Sequence, residues 1–409
     1  MKPARDPIAA NMEAATPETF SRMGVWMLIA GILLIAASLR APITAVGPLI
    51  TAIRDDAGIS NTLAGMLTAF PLLAFALLSP LAPQLARRLG MEYTLFISML
   101  VLTAGIALRA LPSVTALFMG TALLGMGIAL SNVLLPGLIK SKFPHRLGIM
   151  TGMYSLSMNI WAAIASGVSV PIAYGLNLGW RGSLGIWGIL TACALLVWMP
   201  QLRSRRRPAA ERAGGRGGLW HSSLAWKVTL FMGLQSMNFY VTISWLPEIL
   251  SQQGLSQTAA GWMVSLMQLV SLPATFLVPI VAGRFANQRG LVVTIAGFFI
   301  AGYIILLSEL HSLMPIGVIL IGIAGGSAFS LATMFFILRT KSGSQAAELS
   351  GMAQTVGYLL AAAGPAFFGF VYDATHHWTI PLLFLLVVGI LLLIFGLGAA
   401  KEGVVETKG

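Results

Sequence analysis

The stretch "LLIAASLRAPITAVGPLI", Leu33 to Ile50, is largely apolar and carries a single charge, Arg40. The neighbouring charges, Arg22 and Arg54, lie about 27 Å and 21 Å away along a helix rising 1.5 Å per residue. A guanidinium keeps its proton and presents five donors in a planar fork, which suits a carboxylate or nitro group. At the centre of a membrane helix it costs about 2.5–3.5 kcal/mol, and such residues face a bundle interior or a wet cavity. Thr44 and Gly47, at i+4 and i+7, share its face. Of 13 acidic residues, Glu248, Glu309 and Asp373 come closest to apolar stretches, and each falls near an outer end. Two readings follow. Either carbonyls freed by Pro42 and Pro48 satisfy the group, or a cargo supplies the missing negative charge or strong acceptor. The sequence favours the second.

Further side chains have types and spacings suited to such a cavity. Tyr154, Met158 and Trp161 are spaced i, i+4, i+7, and Gln354 and Tyr358 are spaced i, i+4. Gln235, Asn238, Thr242 and Trp245 share one apolar stretch, while Asn132 and Gln268 stand in others. The candidate binding set is Arg40, Thr44, Asn132, Tyr154, Trp161, Asn238, Gln268, Gln354 and Tyr358. Each has a plainer alternative. Amides in membrane spans also tie helices together, and Trp161 and Tyr358 suit packing as well as they suit stacking on a flat molecule. Catalysis finds no constellation: there is no H-E-x-x-H, no clustered Cys, His and Asp, and no phosphate loop. No catalytic residue, metal or cofactor is expected, so the chain reads as neither an enzyme nor an ATP-driven pump.

The elements that must position these residues are membrane helices. Of 409 residues 57% are hydrophobic and 9% charged, against about a quarter charged in soluble domains. Twelve apolar spans fall at about 24–50, 61–83, 93–110, 115–139, 149–172, 182–200, 224–247, 260–283, 291–308, 314–338, 350–371 and 379–399, each matching a hydrocarbon core of about 30 Å. With both termini in the cytoplasm, 21 of the 25 basic residues lie on the cytoplasmic side. Arg54, Arg109 and Arg181 lie outside and Arg40 within, which obeys the positive-inside rule. The net charge of +12 is therefore a topology signal, and no nucleic-acid partner is expected. The expected location is the cell (inner or plasma) membrane, with the lipid bilayer as surroundings and a monomer as the working unit.

The halves repeat. "IKSK" at Ile139–Lys142 returns as "LRTK" at Leu338–Lys341, "TGM" at Thr151 as "SGM" at Ser350, and Trp180 as Trp378, at offsets of 198–199. The expected organisation is a cytoplasmic segment 1–23, a six-helix half 24–200, a linker 201–223, a second half 224–399 and a tail 400–409. Two such halves with a site between them near mid-membrane are a common plan of secondary transporters.

This pattern resembles the major facilitator superfamily, whose loop between helices 2 and 3 usually reads G-x-x-x-D-R-x-G. Here "PQLARRLG", Pro83–Gly90, places Arg87 at the acidic position, and "GRFANQRG", Gly283–Gly290, places Asn287 there. "LRAPITAVGPL", "ALSNVLLPGLIK", "WLPEIL" and "SGMAQTVGYLLAAAGP" resemble the cyanate/2-nitroimidazole transporter family within it. The resemblance implies transport by alternating access of a small anionic or nitro-bearing organic molecule, with Arg40 as the recognition charge. A proton-coupled exporter of neutral drug-like or toxic compounds is the alternative, although the helix-5 glycine–proline pair common in superfamily antiporters is absent. Membrane enzyme, channel and receptor readings lack supporting residues. Direction and coupling ion stay open.

Overall fold

The structure is a computed structural model that describes residues 22–59, 61–203 and 218–405. Most of the expected N-terminal segment, much of the linker and the last four residues lie outside this range. Among the described residues there is no strand. In lipid every backbone donor and acceptor must be satisfied within the chain, which leaves these apolar stretches helical. In chain order the helices are α1 (Arg22–Thr44), α2 (Ile50–Ala57), α3 (Asn61–Leu78), α4 (Leu81–Leu89), α5 (Met91–Arg109), α6 (Val114–Lys142), α7 (Leu147–Val170) and α8 (Gly179–Gly185). There follow α9 (Trp187–Trp198), α10 (Ser223–Gln252), α11 (Gln257–Arg284), α12 (Arg289–Leu307), α13 (Met314–Leu338), α14 (Gly343–Thr375) and α15 (Thr379–Ala399). Serine caps mark several starts. Ser113, Ser222, Ser256 and Ser342 each accept from the backbone N–H three residues on, satisfying a donor that the helix start leaves open.

Ten described helices are long and apolar enough to cross a membrane, or eleven with the bent pair Phe70–Leu78 and Leu81–Leu89 counted as one. The twelfth span is α10, 30 residues long, with Gln235, Ser236, Asn238 and Thr242 inside it. The protein is thus an all-α, twelve-span membrane protein. The expected single span 61–83 bends by 58° between α3 and α4. Pro80 has no N–H to continue the ladder, whose last bond before it runs from Ser79 N to Phe75 O at 3.1 Å. Helix α1 also stops short, at Thr44, and the chain passes through a 3-10 turn at Gly47–Leu49 before α2.

Packing follows the sequence repeat. In the first six spans α1 packs on α7 and α9, α5 on α6 and α9, and α3 on α6. In the last six α10 packs on α14 and α15, α12 on α13 and α15, and α11 on α13. Glycine makes a close crossing at the matching helix pair in both. A Cβ on Gly120 would come 2.6 Å from Gly105 O, and one on Gly302 would come 2.9 Å from Gly317 O. The repeated tryptophans also do matching work: Trp180 Nε1 donates to Asp56 at 3.0 Å, and Trp378 Nε1 donates to Gln252 at 2.9 Å.

The two sets meet where α7 lies against α11 and where α14 lies against α3 and α6. One end is drawn shut. A Cβ on Gly137 would lie 2.5 Å from Gly343 O, and one on Gly148 would lie 2.5 Å from Pro279 O. Lys140 Nζ donates across the junction to the carbonyls of Ile337 and Thr340 at the end of α13. Arg87 pairs with Glu348 at 2.5 Å. The sequence finds no carboxylate in the loop at Pro83–Gly90; the structure draws one from the facing helix, α14.

The sequence reading sets Arg109 on the outer side of the membrane and gives it no role, and the structure supplies one. The residue is 1% exposed, and its Nη1 donates to Pro42 O at 2.9 Å. The arginine thereby braces α1 just beyond Arg40, close to where that helix breaks.

Candidate functional site

A cavity of about 720 Å³, open space at its mouth included, lies between the two sets of spans. Arg40 on α1 and Asn159 on α7 reach it from the first set. The rest of the wall comes from the second set, including Gln235, Asn238, Phe239 and Tyr240 on α10, Gln268 and Ser271 on α11, Gly325 and Phe329 on α13, and Tyr358 on α14. The cavity is therefore strongly one-sided. Helix α10 owes its polar content to this placement, since five of its residues and Thr242 face the same space as Arg40 or border it.

Arg40 carries the site's charge. Its guanidinium carbon lies 5.8 Å from the centre of the Phe239 ring and 5.4 Å from that of Phe329. Cation–π contacts of this kind contribute about 0.5–2 kcal/mol each, and more as water is excluded. Among the described residues no carboxylate pairs with Arg40. Ion pairs among the described residues, Arg54–Asp55, Arg87–Glu348, Lys142–Glu92 and Arg181–Asp56, all lie near helix ends. The fork thus sits half-buried among rings, with its donors uncommitted to any acidic side chain.

Arg40, Asn238, Gln268 and Tyr358 of the candidate set line the cavity. Asn132, Tyr154, Gln354 and Tyr358 form one buried cluster joining α6, α7 and α14. Tyr154 OH donates to Asn132 Oδ1 at 2.9 Å, and Asn132 Nδ2 donates to Gln354 Oε1 at 3.1 Å and to Tyr358 OH at 3.3 Å. Gln354 Nε2 returns a bond to Asn132 O at 3.2 Å. These amides tie the two sets together, and Tyr358 belongs both to this cluster and to the cavity wall. Thr44 does not line it, for its hydroxyl points back to the carbonyl of Ala162 on α7 at 3.0 Å. Trp161 packs edge-on against Trp187 at 6.4 Å, also away from the cavity wall.

The sequence reading passes over Asn159, Phe239, Tyr240, Gly325 and Phe329. Phe239 and Tyr240 directly follow Asn238 on the polar span, which was the available signal. Phe329 and Gly325 carry none, because a phenylalanine and a glycine in an apolar span look alike whether they meet lipid, core or cavity.

The fold and its central cleft define a membrane transporter with repeated halves. The family model of the Major Facilitator Superfamily matches residues 27–235 and 228–407, and the chain belongs to that superfamily. It is 50% identical to the "Uncharacterized transporter YycB" of Bacillus subtilis (strain 168), over 92% of this chain and 94% of the relative. It is 44% identical to the "2-nitroimidazole transporter" of Escherichia coli (strain K12), over 92% and 96%. The "Cyanate transport protein CynX" of the same organism is 25% identical over 88% and 94%. Among solved structures, the proton:xylose symporter XylE bound to 6-bromo-6-deoxy-D-glucose superposes with a TM-score of 0.76 at 14% identity, covering 95% of this chain and 99% of that one. FucP in the outward conformation gives 0.72 at 14% identity, covering 90% and 98%. These two likenesses concern the fold.

Proposed function

We propose that this chain is a secondary active transporter that moves a small anionic or nitro-bearing organic molecule across the cytoplasmic membrane by alternating access. Arg40 is the main recognition charge. The observation that carries the reading is the uncommitted guanidinium of Arg40, held between Phe239 and Phe329 at a cavity between the two sets of spans. A planar acceptor fits that fork edge-on, and the rings on either side suit a flat body. The names of the 2-nitroimidazole and cyanate relatives agree with this chemistry. The halves 24–200 and 224–399 are the rocking units, and the chain works as a monomer with both termini cytoplasmic. On that orientation the closed end is cytoplasmic. The alternative of a neutral-compound exporter driven by protons gains nothing from the wall, whose described lining holds Arg40 and no Asp, Glu or His.

The test is flux into proteoliposomes of radiolabelled 2-nitroimidazole, cyanate and benzoate, by wild type and Arg40→Ala. The reading expects saturable, protein-dependent flux of at least one probe that Arg40→Ala abolishes. Equal flux by the variant removes Arg40 from the mechanism, and no flux of any probe by wild type overturns the substrate class.

A further inference from the structure

Asn238 is 0% exposed yet borders the cavity. Its Oδ1 accepts from the Tyr303 hydroxyl at 3.1 Å, and that hydroxyl meets Thr242 Oγ1 at 2.9 Å. With Tyr303 giving its one proton to Asn238 Oδ1, Thr242 donates to Tyr303, and the oxygen end of the amide is the engaged one. Tyr303 is itself held rigid, fully buried and stacked on Phe299 with the ring planes 10° apart. The free end is Nδ2, a buried donor with no acceptor. Such groups are rare, because burying a donor without a partner forfeits its hydrogen bonds to water. Three residues from two helices thus hold an unanswered N–H at the edge of a cavity that also contains an unanswered guanidinium.

We propose that Asn238 is a second recognition group, whose amide N–H reads a hydrogen-bond acceptor on the cargo. The cargo is then a planar molecule with two separate acceptor functions: an acid or nitro group for Arg40 and a ring nitrogen, carbonyl or ether-type oxygen for Asn238. This rests on the function proposed above and narrows its substrate class. Both protein groups are donors, so a cargo with only its acid or nitro group fills half of the pattern. A cargo offering a donor to Asn238 meets another donor and is rejected. Arg40, Asn238 and Phe239 all line this one cavity, and Phe239 carries one ring of the Arg40 clamp.

The experiment measures equilibrium binding, by calorimetry on the purified full chain, of four acids of nearly one outline: benzoate, picolinate, nicotinate and isonicotinate. The three pyridine acids exchange one ring C–H for an acceptor nitrogen at different positions. The expected result is that at least one of them binds wild type on the order of tenfold tighter than benzoate, one satisfied buried donor being worth about that factor. In Asn238→Leu the ratio falls to about one. Should that variant not fold, Asn238→Ala removes the same amide with no added bulk and is read in the same way. A wild type that binds benzoate but ranks all four acids alike overturns the inference and leaves the proposed function standing. A preference that survives loss of the amide does the same. A wild type that binds none of these acids and no 2-nitroimidazole overturns both.

Discussion

Arg40 and Arg109 sit on opposite sides of one design choice. Arg109 spends a donor on the carbonyl of Pro42 and braces a broken helix, whereas Arg40 meets only the faces of two rings. Removing one partner of a desolvated charge pair typically costs about 2–5 kcal/mol. Arg40→Ala is therefore expected to weaken cargo binding at least about thirtyfold, and Arg40→Lys to recover only part of it, because an ammonium lacks the planar fork. Calorimetric titration of both variants measures this. Gly325 offers a separate test, since a Cβ built there meets nothing within 4 Å on a helix that lines the cavity. Gly325→Leu should fill the cavity, abolish binding and leave the melting temperature within about 2 °C, a surface-like change costing under about 0.5 kcal/mol. Arg40 was legible in the sequence because a lone charge in an apolar span needs a polar surrounding. Thr44, Asn132 and Gln354 were not separable from it by pattern, since an amide or hydroxyl tying two helices has the same spacing as one facing a cavity.

At the scale of elements, the closed end is held by close backbone contact with a half-exposed ion pair beside it. Arg87 and Glu348 retain 42% and 30% of their side-chain exposure, so the pair is worth about 0.2–1 kcal/mol. Arg87→Glu is expected to change transport rate by up to about fivefold, and adding Glu348→Arg to restore it, as read from a double-mutant cycle in proteoliposomes. The glycine crossing is the stronger constraint. Gly120→Val would drive a side chain into the backbone of Arg109, 2.5 Å from a Cβ at that site, and overpacking of this kind costs about 1–3 kcal/mol or more. The expected readout is a lowered melting temperature. The Arg181 guanidinium and then the Trp180 indole, both bonded to Asp56 of α2, hold its carboxyl below its ordinary 3.8. A depressed carboxylate stabilises the fold above its unfolded value and stops doing so as pH falls through its folded one. The stability gap between wild type and Asp56→Asn should therefore stay constant from pH 8 to 5 and close only below about 4. Helix existence was legible from apolar length, and the repeat from recurring tetrads. The 58° bend at Pro80 was not, because proline inside α6, α10 and α11 passes without breaking the helix.

For the whole molecule, the unequal wall matters most. One set of spans supplies nearly all of the cavity, and the other sends in Arg40 and Asn159. A cargo bound to Arg40 and resting on α10 and α13 joins the two sets, so its arrival and departure act on the equilibrium between their arrangements. Cargo can shift that equilibrium only by its difference in affinity for the two states, and a charge reaching across the junction supplies such a difference. The twelve spans and their two-fold repeat could be read from the chain, but this asymmetry could not, since repeated sequences give no sign of which copy faces the cavity. The most direct test is an experimental structure of the protein with a bound nitro- or carboxylate-bearing cargo. The account predicts cargo oxygens within about 3.2 Å of the Arg40 guanidinium, between Phe239 and Phe329. A cargo seated elsewhere, with Arg40 locked against a carboxylate of the protein, would contradict it.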